Sequence, residues 1–139
     1  MKTHLSRITV MALMMIVAGC SPAQSSPTVP ATPDPAGIIS AYFMAVNAKD
    51  LDTAMTFVAD DAVFSVGGPA GGIKTGKDEI RAWLQSEVDR GITFEMSNVQ
   101  VTGDKVTMAF KVFLNNRQVG EGVREAIVED GKITSFQEE

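Results

Sequence analysis

The side chains that most often carry chemistry are scarce in this chain of 139 residues. Its one histidine, His4, and its one cysteine, Cys20, both fall within the first twenty positions. Beyond them there is neither imidazole nor thiol. The usual zinc sites, Ser-His-Asp triads and Cys-His pairs therefore have no members, and no metal or cofactor is expected. Arg124 is the most informative charged residue. Side chains on a strand alternate between faces, so Arg124 shares its face with Gly120, Gly122, Ala126 and Val128. Small neighbours leave space around a guanidinium, which takes carboxylate or phosphate through paired hydrogen bonds. Two other arrangements stay open. One is an internal ion pair; the other is a one-residue slip that turns Arg124 outward and Glu125 inward, making Glu125 an alternative acid/base candidate. Tyr42 lies on an apolar helical stripe, either as a core residue tied through its hydroxyl or as a ligand contact. Trp83 reads as core or cavity wall in preference to a stacking platform. Glu95, between Phe94 and Met96, is expected to face solvent.

The cysteine has another use. Lys2 and Arg7 form a short basic segment, Ile8 to Ala18 is apolar except for Thr9, and Gly19 precedes Cys20. That is the layout of a secretory signal, and the run is too short to span a bilayer as a helix. Val17-Ala18-Gly19-Cys20 resembles the lipobox of bacterial lipoproteins, in which the thiol is acylated before cleavage. The resemblance implies a signal peptide over 1–19, a lipidated Cys20 carrying a diacylglyceryl group and an N-acyl chain such as palmitate, and a cell-envelope location. In a Gram-negative cell that location is the outer membrane, periplasmic side. Two lipid signals suffice for stable anchoring where one does not.

Residues 21–35 hold five of the six prolines and little to bury, so 20–35 reads as a lipidated cysteine followed by a Pro/Ser-rich tether. At the polyproline rise of about 3.1 Å per residue, such a tether reaches roughly 45 Å from the membrane. Losing Lys2 and Arg7 with the signal leaves 10 basic against 17 acidic residues, a net charge of −7. An excess of acid disfavours nucleic acid as a partner.

The remaining residues, 36–139, fit one domain. Asp34-Pro35 is a helix start, and Ile38, Ile39, Tyr42, Phe43 and Val46 recur at helical spacing. Asp50 caps a second, short helix. Ala62 to Val66 is strand-like, and the glycine-rich run 67–72 reads as loop. Thr75 opens a third helix, with Asp78 and Glu79 in its first turn, where the dipole favours them, and Ile80, Trp83, Leu84 and Val88 on its apolar face. From Ile92 the pattern changes to strands over 92–101, 105–114, 117–129 and 133–137, broken by turn residues. Helices followed by long strands predict an α+β fold with three N-terminal helices on one face of a curved antiparallel sheet.

Ile39-x-x-Tyr42-x-x-x-Val46-Asn47-Ala48-x-Asp50-Leu51-Asp52, Phe57-x-Ala59-Asp60-Asp61-Ala62, Gly76-Lys77-x-x-Ile80-Arg81-x-Trp83 and Glu129-Asp130-Gly131-Lys132-Ile133 occur in that order. Together they resemble the nuclear transport factor 2-like superfamily, and within it the SnoaL-like polyketide cyclases and ketosteroid isomerases. The resemblance implies a cone-shaped cavity domain with Arg124 turned inward. It also implies homodimers through the outer sheet face as one mode of assembly. Ketosteroid isomerases place a tyrosine where Tyr42 stands, but their general base falls at Val66 and their second hydrogen-bond donor at about Arg124. Relatives that use an Asp–His pair find no histidine here. The expectation is therefore an envelope protein that binds a small, anionic molecule or a protein partner at Tyr42, Val66, Trp83 and Arg124 without catalysis. Two alternatives are an isomerase, dehydratase or cyclase using Tyr42 with an unlocated carboxylate, and a structural or assembly module.

Overall fold

The computed structural model describes residues 34–138, so the expected signal segment, Cys20 and the expected tether up to residue 33 lie outside the described residues, whereas Asp34 and Pro35, placed at the end of that tether, cap and open the first helix. Helix α1 (Pro35–Asn47) begins where Asp34 accepts hydrogen bonds from the Ala36 and Gly37 amides, both at 3.2 Å. Helix α2 (Leu51–Thr56) is capped by Asp50, which accepts from Thr53 N at 3.0 Å and Thr53 Oγ1 at 2.7 Å. Both caps satisfy amides that a helix start leaves without partners. Strands β1 (Val58–Val66) and β2 (Gly72–Thr75) follow as a hairpin before helix α3 (Lys77–Asp89). Thr75, expected to open this helix, is instead the last residue of β2, because the cap position falls at Gly76, which has no side chain to offer; Glu79 reaches back to accept from Thr75 N at 2.8 Å.

The last four strands are β3 (Ile92–Thr102), β4 (Lys105–Leu114), β5 (Arg117–Glu129) and β6 (Lys132–Glu138). They form a meander, and β6 then inserts beside β1 to give one six-stranded sheet in the order β2-β1-β6-β5-β4-β3. Register shifts in β3–β4, β4–β5 and β5–β6 mark irregularities that bend and twist the sheet around the helices.

Two further expectations need correction. The sheet is mixed, because α3 carries the chain from the β2 edge to the β3 edge and the returning meander delivers β6 parallel to β1. The run after residue 71 is not all loop, since Gly72–Thr75 pairs with Val63–Val66. Its edge position explains the miss: Ile73 is 69% exposed, so no buried face imposes an apolar alternation there.

The concave face is filled at one end and hollow at the other. On β4, Val106, Met108 and Phe110 are buried, whereas Val112 and Leu114 are only partly so. Phe43 sits at the junction, with its ring centre 4.9 Å from that of Tyr42, 5.5 Å from Phe110 and 5.7 Å from both Phe94 and Phe136. Such edge-to-face contacts add to the burial of the rings themselves.

Candidate functional site

The hollow end is a cavity of about 430 Å³ bounded by α1, α3, the Gly67-Gly68-Pro69 loop and the concave face of the sheet. Most of its wall is apolar: Phe43, Leu84, Ile92, Phe94, Phe110, Val112 and Phe136 all contribute. Tyr42 enters from α1, Val66 from the end of β1, Trp83 from α3 and Arg124 from β5, so four separate elements bring these residues to one cavity. Arg90 and Glu121, both exposed, form part of the rim.

Arg124 is the only charged residue among the described residues that is buried, at 8% exposure. Its guanidinium lies 5.0 Å above the ring of Phe110, a cation–π placement. Glu138 Oε2 approaches Nη1 to 2.7 Å, but off the line of its N–H bonds. By distance the contact is an ion pair; by angle it is not a hydrogen bond, and Nε and Nη1 both remain buried without an aligned acceptor. Burial lowers the affinity of Arg124 for its proton, and Glu138 opposes that shift. The internal ion pair and the inward placement, set out as alternatives above, are thus both present.

The β4–β5 register sets Met108 opposite Arg124 and Thr107 opposite Glu125, which turns Glu125 to the other face of the sheet. There it accepts hydrogen bonds from Lys105 Nζ at 2.7 Å and from Gln137 Nε2 at 3.4 Å. Glu125 is therefore withdrawn as an interior acid. Glu95 is exposed on β3. Tyr42 is 1% exposed, and burial alone raises its hydroxyl well above the usual tyrosine range, so it stays a neutral donor. The indole Nε1 of Trp83 is buried without a hydrogen-bond partner. Val66, at the position of the expected base, is a buried hydrocarbon with no proton to exchange.

Glu138 was missed from the sequence. The reading stopped the last strand at Gln137, yet Glu138 is two residues beyond Phe136 and so shares its inward face. Glu87, also on the wall, is neutralised by Arg90 at 2.9 Å, and Glu121 accepts from Gln118 at 2.8 Å. Every carboxylate around the cavity thus has a partner already.

A family model for the SnoaL-like domain matches residues 39–136, well over half of the chain. The chain belongs to the SnoaL-like domain family. Solved structures extend the comparison. A candidate polyketide cyclase from Sinorhizobium meliloti is 24% identical with a TM-score of 0.64, over 74% of this chain and 94% of that one. A cystatin-fold protein from Novosphingobium aromaticivorans is 21% identical with a TM-score of 0.66, over 76% and 97%. A candidate ketosteroid isomerase from Kribbella flavida is 15% identical with a TM-score of 0.64, over 75% of each chain. These likenesses establish the nuclear transport factor 2-like α+β fold of the SnoaL-like domain. No curated protein matches the sequence.

Proposed function

We propose that this SnoaL-like protein is tethered to the cell envelope through an acylated Cys20. Its cavity there holds a small, largely apolar molecule by an acceptor group set against Arg124. One observation carries the reading: a buried guanidinium in an apolar wall keeps two N–H-bearing atoms, Nε and Nη1, without aligned acceptors. Unmet buried donors are costly, and a ligand oxygen removes that cost. Trp83 lines the same cavity, and its Nε1 is a further buried donor without a partner among the described residues.

Binding without turnover is favoured by the state of the carboxylates. Proton abstraction needs a positioned group of suitable pKa. Here Glu138 faces Arg124 and Glu87 faces Arg90, and by the resemblance to ketosteroid isomerases Val66 stands where those enzymes carry their base.

Native mass spectrometry of the detergent-extracted full chain tests both parts. Acylation adds its mass at Cys20, and a bound metabolite adds a second. Arg124→Met should keep the fold and weaken binding of that metabolite by roughly 10- to 100-fold, the worth of a hydrogen bond to a charged group. Unchanged affinity in Arg124→Met would remove the guanidinium from the reading.

A further inference from the structure

Resting on the binding reading above, we propose that Glu138 is a displaceable internal anion. It occupies Arg124 while the cavity is empty and yields to the carboxylate of an apolar ligand.

The two partners are unequally held. The Arg124 side chain is 10% exposed, whereas that of Glu138 is 43% exposed and stands at the end of β6. Swinging Glu138 away from Arg124 returns a carboxylate to water, which costs little for a half-exposed ion pair with poor alignment. Arg124 has no such freedom, because its guanidinium lies over Phe110 in the cavity wall. The cation is fixed and the anion is loose.

One glycine, Gly67, makes the space for the loose partner, and Gly122 lines it at ordinary contact distance. A Cβ on Gly67 would fall 2.5 Å from Glu138 Oε2, and one on Gly122 would lie 3.8 Å from Oε1. The Glu138 carboxylate therefore occupies a niche that a side chain at position 67 would close. Within that niche it neutralises the guanidinium without satisfying it, since Nε and Nη1 keep no acceptor in line. Nε and Nη1 lie on different edges of the guanidinium, so a ligand carboxylate on the cavity side can bridge Nη2 and one of them as a fork. Its apolar body then covers Phe94, Phe110 and Phe136. Glu138 thus sets a threshold that selects anions with an apolar body over small inorganic anions.

The test is calorimetric titration of the full chain in detergent micelles with octanoate and with 1-octanol. Partitioning into micelles is common to all variants and cancels in their comparison. Glu138→Gln should raise octanoate affinity roughly fivefold, the upper worth of such an exposed pair, and leave octanol affinity unchanged. In an Arg124→Met background the same replacement should have no effect on either probe. If both probes bind the parent chain but Glu138→Gln leaves octanoate unchanged or weaker, Glu138 does not compete and the inference fails alone. If neither probe binds the parent chain, the binding reading fails and takes this inference with it.

Discussion

Tyr42 shows how burial sets the chemistry of a single side chain. It is the only tyrosine in the chain, and burial raises its hydroxyl far above the ordinary range. Below about pH 10 the hydroxyl is neutral in the folded and unfolded chain alike, so it adds no pH dependence. Above that value the unfolded chain loses a proton that the folded chain keeps, and stability falls by roughly 1.4 kcal/mol per pH unit. Phenolate absorbance should therefore appear only together with loss of the far-ultraviolet helix signal. Phenolate forming in the still-folded protein near pH 10 would place the hydroxyl in contact with water. The sequence showed that Tyr42 is inside but left its partner open. Arg124 was harder. Alternation assigns faces only up to a one-residue slip, and the β4–β5 pairing, not composition, decides between Arg124 and Glu125. Glu138 was legible in principle, because period two from Phe136 reaches it.

Between elements, the decisive contact is made by Asn47 at the end of α1. Its side chain donates to the Phe94 carbonyl at 2.7 Å and accepts from the Phe94 amide at 2.9 Å, across 47 residues of sequence. One amide thereby joins the helix that carries Tyr42 and Phe43 to the strand that carries Phe94. Asn47→Ala removes both bonds and leaves partly buried backbone groups without partners, so it should cost about 1–3 kcal/mol in chemical denaturation. Asn47→Asp keeps the acceptor but sets an oxygen against the Phe94 carbonyl, and it should be comparably damaging. An alanine variant as stable as the parent would show that packing alone holds α1 to β3. The elements themselves were largely readable: Asp34 and Asp50 cap the helices expected of them, and β4 and β5 have the anticipated bounds. The start of β1 was missed because Asp60 and Asp61 interrupt its apolar pattern, and both are exposed. Asp60 instead pairs with Lys77 at 2.8 Å, and that neighbour holds its carboxyl below the usual range.

At the scale of the whole molecule, a net charge of −5 for the full chain, and −7 without residues 1–19, opposes the approach of any anion to the cavity. On the proposed reading, selection for an anion comes at short range, from Arg124, with apolar burial supplying most of the affinity. The fold was legible because helix stripes and strand alternation are local; the hollow was expected only through the family resemblance, because its lining comes from elements far apart in sequence. The wall of that hollow holds the chain's one tryptophan, Trp83, with its indole N–H buried and unpartnered. The protein consequently carries a single indole reporter, set against its own cavity. An acceptor-bearing occupant should move or quench indole emission in a titration that saturates at one equivalent, and Trp83→Phe should abolish the signal. Emission that stays constant while calorimetry records binding would put the occupant elsewhere. With one tryptophan in the chain, occupancy can be followed through indole emission without a label, the phenylalanine variant serving as the blank.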